Sequence, residues 1–153
     1  MRRIRLMLAA AGFAVSAGLH LLSFTRWGAV AGERTIWALG IVAFLLALAM
    51  VAQLQRTGAP GRRWGRVALL DWRGMVGFVP PGLRLLIVGA AMYAWMNFVL
   101  CLMLEVPPGA EAAITLRMAS GHLIFFFLVP LVFFRFVEPG LEAARAAGGA
   151  PHP

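Results

Sequence analysis

Two histidines lie within long apolar runs of this chain, where a polar side chain is costly and therefore informative. His20 is near the end of the first run, and His122 is within the last one. Two neutral imidazoles on different helices can ligate one haem iron from its two sides. One chemical hypothesis is therefore a bis-histidine site for haem b, with His20 and His122 as the axial ligands.

Further polar residues fall at the same depth. Tyr93 and Asn97 lie four residues apart in the third run. At a rise of about 1.5 Å per residue, His20 lies about 21 Å and Asn97 about 18 Å from the inner ends of their runs. His122 lies about 12 Å from the outer end of its run, or about 18 Å from the inner edge of a core of about 30 Å. We expect His20, Asn97 and His122 to face the interior of a bundle and to lie near one another.

Two arginines lie on the outer side of the histidines. Arg26 follows the first run, and Arg117 is in the first turn of the last one. Guanidinium groups at these positions would suit haem propionates. The same residues also fit a pocket for a quinone or a similar small molecule. The simplest interpretation is structural packing, in which interhelical hydrogen bonds join buried polar groups.

Four apolar runs are long enough to carry these side chains across a membrane, since a spanning helix needs about 20 apolar residues. The runs cover residues 6–24, 36–54, 85–104 and 114–134. Runs of this length are too long for buried strands, and they lack the alternation of barrel strands. The sequence predicts an all-α integral membrane protein, a four-helix bundle in a single transmembrane domain over 1–153, with a loose tail over 146–153.

The placement of arginine predicts the orientation of this bundle. Three arginines precede the first run, and the loop between the second and third runs carries most of the others. The positive-inside rule makes both segments cytoplasmic, so both termini face the cytoplasm. The same loop places Trp64 and Trp72 around the apolar stretch 67–70. Aromatic and arginine-rich sequence of this kind favours the headgroup layer, and we expect a short cytoplasmic interfacial helix between the second and third spans.

Composition sets the expected partners. Hydrophobic residues make up 61% of the chain and charged residues 13%, whereas soluble domains have about a quarter charged. The lipid bilayer is therefore the expected surrounding. The net charge of +8 comes from the loop arginines that set topology, so nucleic acid is not an expected partner. The use of Arg without Lys, with many Ala, Gly and Pro, is typical of a bacterium with a G+C-rich genome, and we expect a multi-pass protein of its cytoplasmic (inner) membrane.

Catalytic signatures are missing from the sequence. It contains no H-E-x-x-H, P-loop or G-x-S-x-G motif, and the four runs contain no acidic residue for a proton relay. These absences argue against an enzyme or a pump. We expect a small accessory or scaffolding protein, a subunit of a larger membrane complex that binds a membrane-protein partner or itself. The alternatives are a haem b electron-transfer protein and a small oligomeric transporter or channel.

Overall fold

Four long helices make up most of the described chain, which comprises residues 1–25, 33–57 and 77–146 of a computed structural model. The helices are α1 (Arg2–Leu22), α2 (Glu33–Thr57), α3 (Pro81–Met103) and α4 (Glu111–Val132), followed by a π-helical turn (Phe133–Val137) and α5 (Glu138–Ala146). The described residues form no strand. Within these described residues, four helical segments are long and apolar enough to cross a membrane. The predicted all-α membrane protein with four spans is confirmed at this level.

All four helices begin before the apolar runs that predicted them, because polar residues at a membrane surface can continue backbone hydrogen bonding. α1 begins at Arg2. α3 begins at Pro81, which is tolerated because the first helical position needs no backbone donor. The last span is the longest, covering 34 residues from Glu111 to Ala144. At about 1.5 Å per residue this is about 51 Å, well beyond the core of about 30 Å. The segment is therefore longer than a span needs to be.

α4 is the central helix, and it packs against α1, α2 and α3. Its Phe127 is fully buried, and the ring lies directly against Gly12 of α1. A Cβ at position 12 would collide with that ring, so glycine permits the close approach of the two helices. α3 packs mainly against α4, and most of its residues are not buried.

The π-helical turn interrupts the last helix just after Pro130. Proline has no backbone N–H and crowds the preceding turn of a helix, so the bond that a regular helix would make from position 130 to the carbonyl oxygen of Phe126 is missing. The N–H of Phe133 donates to the carbonyl oxygens of Pro130 and Val129. The turn buries Phe133, Phe134 and Val137.

Three sequence predictions lie outside the described residues. They are the interfacial helix between the second and third spans, the tail beyond Ala146 and the position of Arg26.

Candidate functional site

A chain of hydrogen bonds joins α1, α3 and α4 through His20. The Ser120 hydroxyl donates to the carbonyl oxygen of Leu116 at 2.6 Å. Ser120 Oγ therefore accepts from Nδ1 of His20, which lies 3.0 Å away. A neutral imidazole with its proton on Nδ1 accepts at Nε2, and there the Tyr93 hydroxyl donates. The neutral chain, defined as Tyr93, His20 and Ser120, thus has every donor matched to an acceptor.

A second set of bonds attaches α3 and the end of α1 to α4. The side-chain amide of Asn97 donates to the backbone carbonyl of Arg117 at 3.1 Å. The Arg117 guanidinium donates to the carbonyl of Ser23 at 3.2 Å and lies 4.0 Å from the centre of the Phe24 ring. Such cation–π contacts strengthen when they are shielded from water. Arg117 therefore acts here as a connection between helices.

Gly121 allows His20 and Asn97 to meet against the backbone of α4. A Cβ at this position would lie 2.5 Å from Nδ2 of Asn97 and 3.4 Å from Cε1 of His20. Both side chains are buried, with 6% of His20 and 7% of Asn97 exposed. The structure thus places these two residues together, as the matching depths suggested.

His122 lies on another face of α4. It follows Ser120 by two residues, which turns it about 200° around the helix axis. Its Nδ1 donates to the carbonyl of Met118 at 2.9 Å, and its ring stands edge-on to Phe98 with centroids 5.3 Å apart. The structure therefore does not bring His122 to the hydrogen bonds of His20, although the sequence placed both at one level.

This arrangement does not fit the axial ligation of one haem by the two histidines. Both ring nitrogens of His20 are used in hydrogen bonds within the protein. The space beside Gly121, where a macrocycle would need room, is filled by Asn97 and His20. The part of the chain that the structure describes contains no group of three or more His, Cys, Asp or Glu side chains placed to hold a metal ion.

Sequence reasoning missed a buried ion pair at the other end of α1. Nη2 of Arg5 lies 3.0 Å from Oε1 of Glu138, whose side chain is only 1% exposed. The Arg5 guanidinium also lies 4.8 Å from the centre of the Phe134 ring. Oε2 of Glu138 and Nε of Arg5 are buried without a hydrogen-bond partner. We call Arg5 and Glu138 the charged pair.

A signal for the charged pair is present in the sequence. Arg5 directly precedes the first apolar run, and Glu138 follows the last one by four residues. An even number of spans brings these two positions to the same side of the membrane. Opposite charges at such positions favour a contact between the ends of the first and last helices.

The fold and the bonding of its polar residues define a small multi-pass membrane protein whose buried polar groups mostly join its helices. No protein-family model, no curated protein and no solved structure matches this chain.

Proposed function

We propose that this protein is a small accessory or scaffolding subunit of a bacterial cytoplasmic membrane, and that it binds a membrane-protein partner or a second copy of itself through α3. The observation that carries the proposal is the packing of α3. Its extensive contact within the described residues is with α4, and it reaches α1 mainly through the Tyr93–His20 hydrogen bond, whereas an internal helix of a four-helix bundle packs along two neighbours. A partner helix would bury the surface of α3 that this chain leaves exposed.

The uncovered side of α3 has the composition of a helix contact. Gly89, Met92, Tyr93 and Met96 follow the spacing of one helix face, and we call them the α3 face. A Cβ at Gly89 would meet nothing within 4 Å, and small residues allow another helix to approach closely. Met92 and Met96 are more than half exposed, and their flexible thioethers adapt to a partner's surface.

The interior of the protein supports a structural role over a chemical one. In the neutral chain, both ring nitrogens of His20 and the hydroxyls of Ser120 and Tyr93 are all engaged in joining helices. Tyr93 is itself 44% exposed. Its hydroxyl therefore fixes the rotation of the α3 face relative to α1, which suits a surface that must be presented in one orientation.

Site-specific photo-crosslinking in native membranes tests the proposal. A photoreactive residue at Met92 is expected to give a protein adduct of one defined mass, either twice that of the chain or that of the chain plus one partner. Ile41 on α2 is the matched control, since it is 60% exposed against 59% for Met92. It should give lipid adducts alone. Lipid adducts alone from both positions would contradict the proposed docking through α3.

A glycine variant separates loss of docking from loss of folding. Gly89→Leu adds bulk where the chain itself leaves open space, so the fold should persist while the adduct from Met92 disappears. Gly18→Leu on α1 is the control, because a Cβ there also meets nothing within 4 Å. An adduct that survives Gly89→Leu unchanged would place the contact elsewhere.

The proposed orientation has both termini in the cytoplasm. It is supported by the arginine-rich segments before α1 and between α2 and α3. It also agrees with the charged pair, which brings the start of α1 to the start of α5. A reporter that is active only in the periplasm should stay inactive when fused after Pro153 and become active when inserted after Pro108. Activity at Pro153 would contradict the proposed orientation.

A further inference from the structure

A cleft of about 300 Å³ lies between the start of α1 and the end of α2. Two of its lining residues are arginines, and none is acidic. The α1 side is lined by Ile4 and Arg5, and the α2 side by Ala49, Ala52, Gln53 and Arg56. The small alanine side chains leave the space open. The cleft therefore combines positive charge with room for a small anionic group.

Arg5 is held so that one of its amino groups stays available. Its Nη2 lies 3.0 Å from Oε1 of Glu138, and its guanidinium lies 4.8 Å from the centre of the Phe134 ring. Nη1 is accessible and has no hydrogen-bond partner among the described residues. The cleft is an open space that Arg5 lines. An oxyanion there can therefore accept a hydrogen bond from Nη1 without displacing Glu138.

The last turn of α2 supplies the second guanidinium of the cleft. Gln53 and Arg56 both line it, and residues three apart lie on one face of a helix. Arg5 and Arg56 thus belong to opposite walls. A guanidinium presents its N–H donors in a planar fork that matches the oxygens of a phosphate group. Phosphate is therefore the anion that this pair of arginines suits best.

The balance of charge around the cleft also favours an anion. Arginines stand at positions 2, 3, 5 and 56 at this end of α1 and α2. Two acidic residues contact them, since Glu142 lies 3.8 Å from Arg2 and Glu138 lies 3.0 Å from Arg5. The described part of the chain thus has more positive than negative charge here. A surface of one sign concentrates ions of the other sign.

The surface next to the cleft indicates a lipid as the source of the anion. Leu8 lies one helical turn beyond Ile4 on α1, and Leu45 lies one turn before Ala49 on α2. Both leucines are exposed, so accessible apolar surface continues from the cleft towards the middle of the spans. An acyl chain joined to the phosphate would cover it. Basic pockets between transmembrane helices bind phospholipid headgroups in this way.

We propose that this space, which we call the α1–α2 cleft, binds the phosphate group of an anionic membrane lipid between Arg5 and Arg56. An acyl chain of that lipid lies along Leu8 and Leu45. The proposal concerns α1 and α2, so it is independent of docking through the α3 face.

Native mass spectrometry of the full chain in detergent tests the proposal. The protein is titrated with phosphatidylglycerol and with phosphatidylcholine of the same acyl chains, whose choline group adds a positive charge beside the arginines. The first phosphatidylglycerol molecule should bind with a Kd about tenfold lower, the equivalent of one charge-assisted hydrogen bond. Equal Kd values for the two lipids would overturn the proposal. Inorganic phosphate at the concentration of the lipid should not displace it, and displacement would overturn the assignment to a lipid.

Two variants assign the preference to the α1–α2 cleft, each with a matched control at another exposed position, so the fold should persist in all four. Arg56→Gln should remove most of the preference for phosphatidylglycerol, whereas Arg135→Gln removes the same charge elsewhere and should keep it. Ala52→Leu fills the cleft without changing the charge and should raise the Kd of phosphatidylglycerol, whereas Ala14→Leu should not. Equal losses in the two arginine variants would indicate diffuse attraction and overturn the proposal, as would an unchanged Kd in Ala52→Leu.

Discussion

A guanidinium attaches each end of α1 to the last helix, Arg117 at one end and Arg5 at the other, but only one end adds a neutral chain of hydrogen bonds. His20 is held by the neutral chain, in which each donor has an acceptor. Arg5 is held by the charged pair, in which one atom of each partner is buried without a hydrogen bond. Burying a neutral hydrogen-bonded pair has a small desolvation cost. Each such bond stabilises a membrane protein by only about 0.6 kcal/mol on average. A buried ion pair costs far more to desolvate, so its loss is felt chiefly when one charge remains alone.

The positions of the two regions match this difference. The charged pair lies at the start of α1, where the Arg5 side chain is still 23% exposed, so its guanidinium can reach the polar surface layer. The neutral chain lies near the other end of the helix, about 15 residues or 22 Å further along. Four variants test how far the two regions differ.

Removing one member of the charged pair is expected to have the largest effect. Glu138→Ala leaves Arg5 beside Phe134 without its carboxylate, and we expect a loss of about 3 kcal/mol in the free energy of unfolding. Titration with SDS in mixed micelles measures it. Glu142→Ala is the matched control, because Glu142 is 52% exposed and lies 3.8 Å from Arg2. It should cost less than about 1 kcal/mol. Equal losses in the two variants would remove the distinction between buried and exposed pairs.

A methyl group at Gly121 should disturb the meeting point of His20 and Asn97. Gly121→Ala requires Asn97 to move, since a Cβ would lie 2.5 Å from its Nδ2, and overpacking of this kind costs about 1–3 kcal/mol. Gly89→Ala is the control, because its Cβ meets nothing and alanine favours the helix. The same SDS titration compares them. A Gly121→Ala protein as stable as the wild type would show that Asn97 can move away from position 121 without a loss of stability.

Loss of the Tyr93 hydroxyl should have a smaller effect. Tyr93→Phe removes the donor to Nε2 of His20 and should reduce the free energy of unfolding by about 0.6 kcal/mol. A double-mutant cycle with His20→Phe isolates the coupling between the two side chains. A coupling free energy near zero would mean that the bond between Tyr93 and His20 does not stabilise the protein.

Replacement of both charges should have the smallest effect. Arg5→Met with Glu138→Leu removes the desolvation cost together with the attraction, so we expect a net change in stability close to zero. The SDS midpoint of this double variant should lie well above that of Glu138→Ala. A double variant as unstable as the single one would show that the pair is needed for packing and that its charges matter less.

The spans could be predicted from the sequence because the length of an apolar run is a local property. The meeting of His20 and Asn97 followed from their depths, which sequence position fixes once a helix is assumed. Depth contains no information on rotation about the helix axis, and for this reason His122 was grouped with them although it faces elsewhere. The charged pair was missed for a different reason. Arg5 belongs to the basic segment that signals topology, and Glu138 lies beyond the last apolar run.

The π-helical turn has a consequence for everything that follows it. Such a turn contains one residue more than an α-helical turn, so it acts as a one-residue insertion and changes the phase of the helix by about 100°. Glu138 and Glu142 follow the turn and point towards Arg5 and Arg2 of α1. In an uninterrupted α-helix the two carboxylates would lie about a quarter of a turn away. The π-helical turn thus sets the angle between the packing face of the apolar span and the face on which Glu138 and Glu142 contact α1.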